Sequence, residues 1–267
     1  MKALILAAGY ATRLYPLNQW LPKALLPLVE NTILGHIAGL VDTIPDCSEI
    51  IVVSNHRFIG DFRRWLDHYR GRLPVSLLDD GTSDASASLG AIGDICFSIE
   101  KKQIDEELLI IAGDTYFDFA PGDFVNACRK AGRDGVCVKK VEDVSLLCQM
   151  GVVLLDRDNH IVDIEEKPAR PKSDLAMYAV YYYTRDTVRL FRRYRQENNN
   201  MDAPGNFIVW LYTRKPILTY EIEGQCHDIG TAKAYAALCQ RLGIAFTAEE
   251  MAAWEAAARE TQKEALA

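Results

Sequence analysis

No run in this 267-residue chain reaches the length of a membrane span, and no charged leader with an apolar core and a small-residue cleavage site opens it. A cytoplasmic setting is the expectation. The seven cysteines, Cys47, Cys96, Cys128, Cys137, Cys148, Cys226 and Cys239, contain no Cys-x-x-Cys pair, which argues against a zinc site and predicts reduced, mostly buried thiols. The five histidines show no metal-ligand spacing either. Gly-Lys-Ser/Thr is missing, and positions 9, 11 and 14 hold Gly, Ala and Leu where a dinucleotide fingerprint needs three glycines. Ordinary kinase and dehydrogenase readings lose ground. A formal net charge of −7 lacks the clustered positive charge that a nucleic acid or an anionic membrane requires, so neither is expected as a partner.

What is present is ordinary globular usage, 49% hydrophobic and 25% charged, enough to bury a large core. Residues Ala3 to Ala8 form a fully apolar segment of strand length, as expected of a parallel strand covered on both faces. Gly9, with Ala7, Ala8 and Ala11 beside it, keeps side-chain bulk low where the chain leaves that strand, so backbone N–H groups can approach phosphate oxygens. Arg13 and Lys23 add cationic donors. Polyphosphate is the ligand that needs both features at once.

Further strands are predicted at Glu49 to Ser54, Val75 to Leu78, Leu108 to Ala112 and Gly135 to Val138. Helical patterns cover Ile33 to Thr43, Arg57 to Tyr69, Leu89 to Ile99 and Gly122 to Ala131. This βαβαβα layout predicts a mostly parallel sheet with ligands at the carboxyl ends of its strands. From Gly151 the pattern changes to a hairpin, Val152 to Leu155 and Ile161 to Glu165, followed by a strand at Met177 to Tyr183. Helices at Thr184 to Gln196, Gly205 to Thr213 and Thr231 to Leu242, with a strand at Ile217 to Glu221, complete the domain. The Ala- and Glu-rich segment Thr247 to Ala267 opens on a capping box and reads as a helix, either packed back on the domain or contacting another subunit.

Asp114 follows an apolar strand and a glycine, at the sheet's carboxyl edge, where a carboxylate can hold a divalent cation against phosphate oxygens. An isolated Gly-Asp is more often a turn or a helix cap. Here it accompanies the ordered series Leu6-Ala7-Ala8-Gly9-Tyr10-Ala11-Thr12-Arg13-Leu14-Tyr15-Pro16-Leu17-Asn18, Pro22-Lys23-Ala24-Leu25-Leu26-Pro27, Gly113-Asp114-Thr115, Glu166-Lys167-Pro168 and His227-Asp228-Ile229-Gly230-Thr231.

In that order the motifs resemble those of the sugar-1-phosphate nucleotidyltransferases, or nucleoside-diphosphate-sugar pyrophosphorylases, and are similar to those of glucose-1-phosphate thymidylyltransferases. Two positions depart from the first signature: Ala11 stands for a second glycine and Asn18 for a threonine. The resemblance implies an α/β, Rossmann-like three-layer fold with a mostly parallel mixed central sheet and a small β-rich sugar-binding lobe. It divides residues 1–242 into a nucleotide-binding half to about 145 and a sugar-phosphate half from about 146, with 243–267 as a helical extension. It implies a nucleoside triphosphate and a sugar 1-phosphate as substrates, Mg²⁺ as cofactor, and the possibility of a homo-oligomer. Arg13, Lys23 and Lys167 become the catalytic cations, and Asp114 and Asp228 the metal ligands. Leu6, Ala8, Gly9, Ala11, Thr12, Asp80, Ser88 and Gly90 fall to the nucleotide, and Gly151, Glu166, Lys167 and Tyr178 to the sugar phosphate. Tyr178-Ala179 stands where relatives have threonine-glycine, which leaves the sugar open; the base is open too. Two other readings stay in view. One is a cytidylyltransferase acting on phosphocholine or a phosphonate, with Tyr178, Tyr181, Tyr183 and Trp210 as a cage for a quaternary amine. The other is a non-catalytic nucleotide-sensing relative.

Overall fold

The computed structural model describes residues 1–10, 21–28 and 31–244. Arg13, Ala11, Thr12 and the segment Thr247 to Ala267 lie outside the described residues. The first apolar run forms β1 (Lys2–Leu6), which pairs in parallel with β4 (Glu49–Ser54) on one side and β6 (Leu108–Ala112) on the other. Beyond β4 lies β5 (Val75–Asp79), also parallel. The chain therefore builds outward through β1, β4 and β5 and then returns to the far side of β1. That reversal makes the β1/β6 junction a topological switch point, with a crevice beyond the strands' carboxyl ends.

A pair of two-residue strands, β2 (Pro27–Leu28) and β3 (Asn31–Thr32), leads into α1 (Ile33–Asp42), where the Thr32 side chain accepts from the Gly35 N–H at 3.0 Å. The crossovers α2 (Ile59–His68) and α3 (Ala91–Lys102) flank β5 in sequence. α3 starts two residues later than its hydrophobic pattern suggests, because Gly90, with φ of +75°, turns the chain just before it. After β6 come β7 (Thr115–Phe117), α4 (Pro121–Ala131) and β8 (Asp134–Lys140).

β8, expected to extend the parallel series, instead pairs antiparallel with β11 (Leu175–Tyr183). A buried carboxylate pins it there. Asp134 accepts from the Thr184 N–H at 2.8 Å and the Thr187 hydroxyl at 2.7 Å, which ties the start of β8 to the end of β11. β11 also runs antiparallel to β6, so the sheet continues without a break into the second half. There β9 (Gly151–Leu155) and β10 (Ile161–Glu166) form the predicted hairpin, preceded by the short α5 (Val144–Leu147). Next come α6 (Arg185–Gln196) and α7 (Gly205–Leu211), then β12 (Ile217–Glu221), which lies parallel to β8. β13 (Cys226–Asp228) leaves the large sheet to pair with β7, and α8 (Ala232–Arg241) follows it.

Strand alternation sends successive side chains to two cores. Ala3, Ile5, Ile50, Val52, Leu109 and Ile111 pack with α1 and α4, whereas Leu4, Ile51, Val53 and Ile110 pack with α3, α6 and α7. The result is the three-layer mixed α/β arrangement that the sequence pattern predicts. All seven cysteines are free, and all but Cys148 are buried. Among the described residues, no helix is long and apolar enough to cross a membrane.

Candidate active site

The turn after β1 is held from both sides. Ala7 donates its N–H to the Val53 carbonyl at 2.9 Å, and the buried Asn55 amide donates to the Ala8 carbonyl at 2.9 Å. Gly113, just past β6, donates to the Leu6 carbonyl at 2.8 Å. A Cβ at Gly113 would stand 2.8 Å from that same carbonyl oxygen and 3.3 Å from the Ala7 Cβ, so only glycine lets the two strand ends approach this closely. Gly9 is different. A Cβ there meets no atom of the described residues within 4 Å, and its φ is not in the left-handed region, so among the described residues neither packing nor backbone conformation demands a glycine. The space it leaves opens onto the cleft.

That cleft, about 450 Å³, lies at the switch point. Leu6, Ala8 and Gly9 from the first turn line it, as do Ser88 and Gly90 before α3 and Asp114 after β6. Lys23 reaches it from a 3-10 turn, Lys23–Leu25, that follows Pro22. Its Nζ lies 3.1 Å from Asp114 Oδ2, both groups part-buried.

Asp80 does not line the cleft. It stands behind, accepting through Oδ1 from the Thr82 N–H at 2.7 Å and the Thr82 hydroxyl at 2.8 Å, while Tyr10 donates to the same hydroxyl at 2.8 Å. The carboxyl that does line the cleft is Asp94, on the first turn of α3 and only 5% exposed. Burial, together with the neighbouring Asp80, pushes it up to about 8, so it holds a proton at neutral pH. Asp94 and Asp202, which also lines the cleft, were not singled out from sequence. The available signal was an acid on the face of α3 that buries Ile95 and Ser98.

The second half closes over α3. Ala91 donates its N–H to the Asp202 carbonyl at 2.7 Å and Ile92 to the Met201 carbonyl at 2.9 Å; a Cβ at Gly90 would overlap the Met201 carbonyl. At the open end of the β9–β10 hairpin, Gly151 pairs with Glu166. The Glu166 carboxylate occupies room that two glycines leave: a Cβ at Gly205 would overlap its Oε2, and one at Gly151 would come within 2.9 Å. Burial raises the Glu166 carboxyl above its ordinary value, with the Lys167 charge opposing and Asp202 reinforcing the rise. Lys167, next in chain, is exposed in the left-handed region at φ +51°, and its N–H donates to the Met150 carbonyl at 3.0 Å.

The small β7–β13 ladder brings Asp228 opposite Thr115, and the Ile229 N–H donates to the Asp114 carbonyl at 3.0 Å. The two aspartates thus lie close in the chain's fold, Asp114 on the turn before β7 and Asp228 at the end of β13, yet they do not share one cavity. Asp114 lines the cleft, while Asp228 lines a neighbouring pocket of about 260 Å³ with Met150, Tyr178 and His227. Burial pushes the Tyr178 phenol up to about 12, with Cys226 and Asp228 adding to it. The His227 imidazole is lowered by burial and by the Arg241 and Lys139 charges.

Tyr178, Tyr181, Tyr183 and Trp210 do not form one cage. Tyr181, Tyr183 and Trp210 belong to the opposite core with Phe191 and Phe207, where Tyr183 meets the Phe207 ring edge-on at 5.3 Å. The period-2 alternation of β11 sends Tyr178 to the other face. A quaternary-amine cage built from these four side chains is therefore ruled out.

A sequence profile described as "Nucleotidyl transferase" matches residues 2–243. The chain belongs to the nucleotidyl transferase family. Within that family, the chain is 26% identical over 230 residues to the bifunctional protein GlmU of Methanocaldococcus jannaschii, covering 86% of the chain and 51% of that protein. It is 28% identical over 185 residues to the UTP–glucose-1-phosphate uridylyltransferase AglF of Haloferax volcanii, covering 69% of the chain and 72% of AglF. The chain spans about half the length of the GlmU proteins it matches. Among solved structures, a UDP-glucose pyrophosphorylase complexed with UDP-glucose superposes with a TM-score of 0.72 at 20% identity, covering 90% of this chain and 97% of that one. A protein assigned as a glucose-1-phosphate thymidylyltransferase of Bacillus anthracis, in complex with sucrose, gives a TM-score of 0.74 at 21% identity, covering 92% and 96%. At such identities the likeness establishes the fold alone.

Proposed function

We propose that the chain transfers a nucleotidyl group from a nucleoside triphosphate to a sugar 1-phosphate, releasing pyrophosphate. The observation that carries this reading is the Lys23–Asp114 pair at the mouth of the switch-point cleft, beside a glycine turn that leaves open space among the described residues. On the second half, Gly151, Glu166 and Lys167 gather at one hairpin end, and the Met201–Asp202 segment joins that half to the cleft.

In this reading an oxygen of the acceptor phosphate attacks the α-phosphorus, a new P–O bond forms, and the bond to the bridging oxygen of the leaving pyrophosphate breaks. The nucleophile is already anionic at neutral pH, so positioning and charge neutralisation supply the catalysis. Lys23 meets the triphosphate or the acceptor phosphate. Lys167 meets the acceptor phosphate, and Glu166 accepts from sugar hydroxyls. Arg13 is assigned the β and γ phosphates by the resemblance of its motif.

The donor set suits Mg²⁺, which favours one or two carboxylates and completes its shell with phosphate oxygens and water. Asp114, a hard oxygen donor on the turn after β6 with Lys23 beside it, would hold the ion from the cleft; Asp228, the expected second ligand, lines the neighbouring pocket. When bound, Mg²⁺ neutralises charge on the leaving pyrophosphate. The test is pyrophosphate release from a panel of nucleoside triphosphates and sugar 1-phosphates in the presence of Mg²⁺. Release that depends on both substrates and yields a nucleotide sugar is expected; triphosphate binding without release from any pair would refute the reading.

A further inference from the structure

Resting on the reading that Lys23 meets a phosphate group in the cleft, we infer that Tyr235 is a positioning residue for the Lys23–Asp114 pair. Tyr235 sits on α8, is fully buried and does not line the cleft. Its hydroxyl donates to the Pro27 carbonyl at 2.6 Å, a contact between positions 208 residues apart in the chain. Pro27 ends the arm that carries Lys23.

That arm is a single tight turn. Leu25 donates its N–H to the Pro22 carbonyl at 2.9 Å and Leu26 to the Lys23 carbonyl at 3.0 Å, while Ala24, Leu25 and Leu26 are buried. Prolines at 22 and 27 restrict φ at both of its ends. Where Pro27 is held, Lys23 is held.

The other end of the connection leads back to Asp114. The Ile229 N–H donates to the Asp114 carbonyl at 3.0 Å, Thr231 Oγ1 accepts from the Ala234 N–H at 3.1 Å, and the Tyr235 N–H donates to the Thr231 carbonyl at 3.0 Å. Lys23 Nζ, 3.1 Å from Asp114 Oδ2, closes a ring that runs from Asp114 through Ile229, the first turn of α8, Tyr235 and Pro27 to Lys23. The pair in the cleft is thus set from behind. A cation placed in advance needs no reorganisation when phosphate charge enters. Without the phenol hydroxyl, the carbonyl of the exposed Pro27 can turn to water, and the arm loses its tie to α8.

The experiment compares the full chain with Tyr235→Phe, which keeps the buried ring and removes the hydroxyl. Tyr69→Phe is the control, because it removes a hydroxyl bonded to Asp42 at 3.1 Å by a residue that does not line the cleft. Trace labelling with acetic anhydride, read by mass spectrometry against Lys102, should modify Lys23 at least about threefold faster in Tyr235→Phe and at the native rate in Tyr69→Phe. Of ATP, GTP, CTP, UTP and dTTP, the tightest binder by calorimetry should lose about three- to tenfold in affinity in Tyr235→Phe. In a Lys23→Ala background the same change should cost less than about twofold.

Unchanged Lys23 labelling in a folded Tyr235→Phe overturns the inference, as does a rise matched by Tyr69→Phe or an equal affinity loss with Lys23 already removed. Faster labelling of Lys23 in Tyr235→Phe, with no triphosphate bound by the native chain, supports the positioning role while removing nucleotidyl transfer. The two readings therefore fail separately.

Discussion

Around β1, β4 and β6 the site is made largely of backbone: bare turns, a strand junction closed by Gly113, and a helix whose first N–H groups are already taken. Around β9, β10 and β13 it is made of side chains set into room that glycines vacate, with Glu166 between Gly151 and Gly205. The first construction suits a polyphosphate, whose many oxygens need fixed donors at close range. The second suits a ligand with a distinctive outline of hydroxyls. Glycine serves both halves for opposite reasons, as absence at Gly9 and as clearance at Gly205.

The contrast can be broken most severely through charge. Lys23→Ala or Asp228→Asn should lower turnover by about a hundred- to a thousandfold, with an unchanged thermal melt, when pyrophosphate release is followed under saturating substrates. Near-normal turnover in either variant would detach that residue from the chemistry. Gly113→Ala attacks the strand junction itself. Its Cβ meets the Leu6 carbonyl at 2.8 Å, so a loss of about 1–3 kcal/mol in denaturant unfolding is expected, along with weakened triphosphate binding.

Gly205→Ala pushes on the Glu166 carboxylate. The expected result is a KM for the sugar phosphate raised about tenfold, with triphosphate binding untouched; an equal loss for both substrates would erase the division of labour. Gly9→Ala sharpens the point from the other side, because stability should stay within about 0.5 kcal/mol while triphosphate affinity falls.

The mildest test is pH. Asp94 holds its proton up to about 8 in the folded chain, whereas an unfolded aspartate loses it near its ordinary value of about 3.9. Between those values the native state binds more protons, so this group's contribution to stability is present in acid and declines as pH rises toward 8. Asp94→Asn, which mimics the protonated form, should therefore gain in melting temperature over the native chain at pH 8 and gain less at pH 5.

Much of this was legible in the sequence because the decisive segments are contiguous. The apolar runs of β1, β4 and β6 end in short polar or glycine turns, and each strand lies within a residue or two of its pattern. The β9–β10 hairpin was visible for the same reason. Long-range partners were not. The three-residue strands β7 and β13 have no periodicity to read, and only their pairing places Asp228 beside the Gly113–Thr115 turn. β8 carries a strand pattern that says nothing of direction, which is settled by the Asp134 contacts to Thr184 and Thr187. Asp80 fell to the nucleotide by resemblance, but the fold sets it behind the cleft and puts Asp94 on the lining, through burial that no local pattern announces.

The two carbonyls that Met201 and Asp202 lend to the start of α3 couple the two halves of the chain. A lobe that swung away at this point would strip both peptide N–H groups of their partners, whereas one that pivots about it strips neither. Residues 201–202 therefore fasten the second half of the chain to the first at the edge of the cleft.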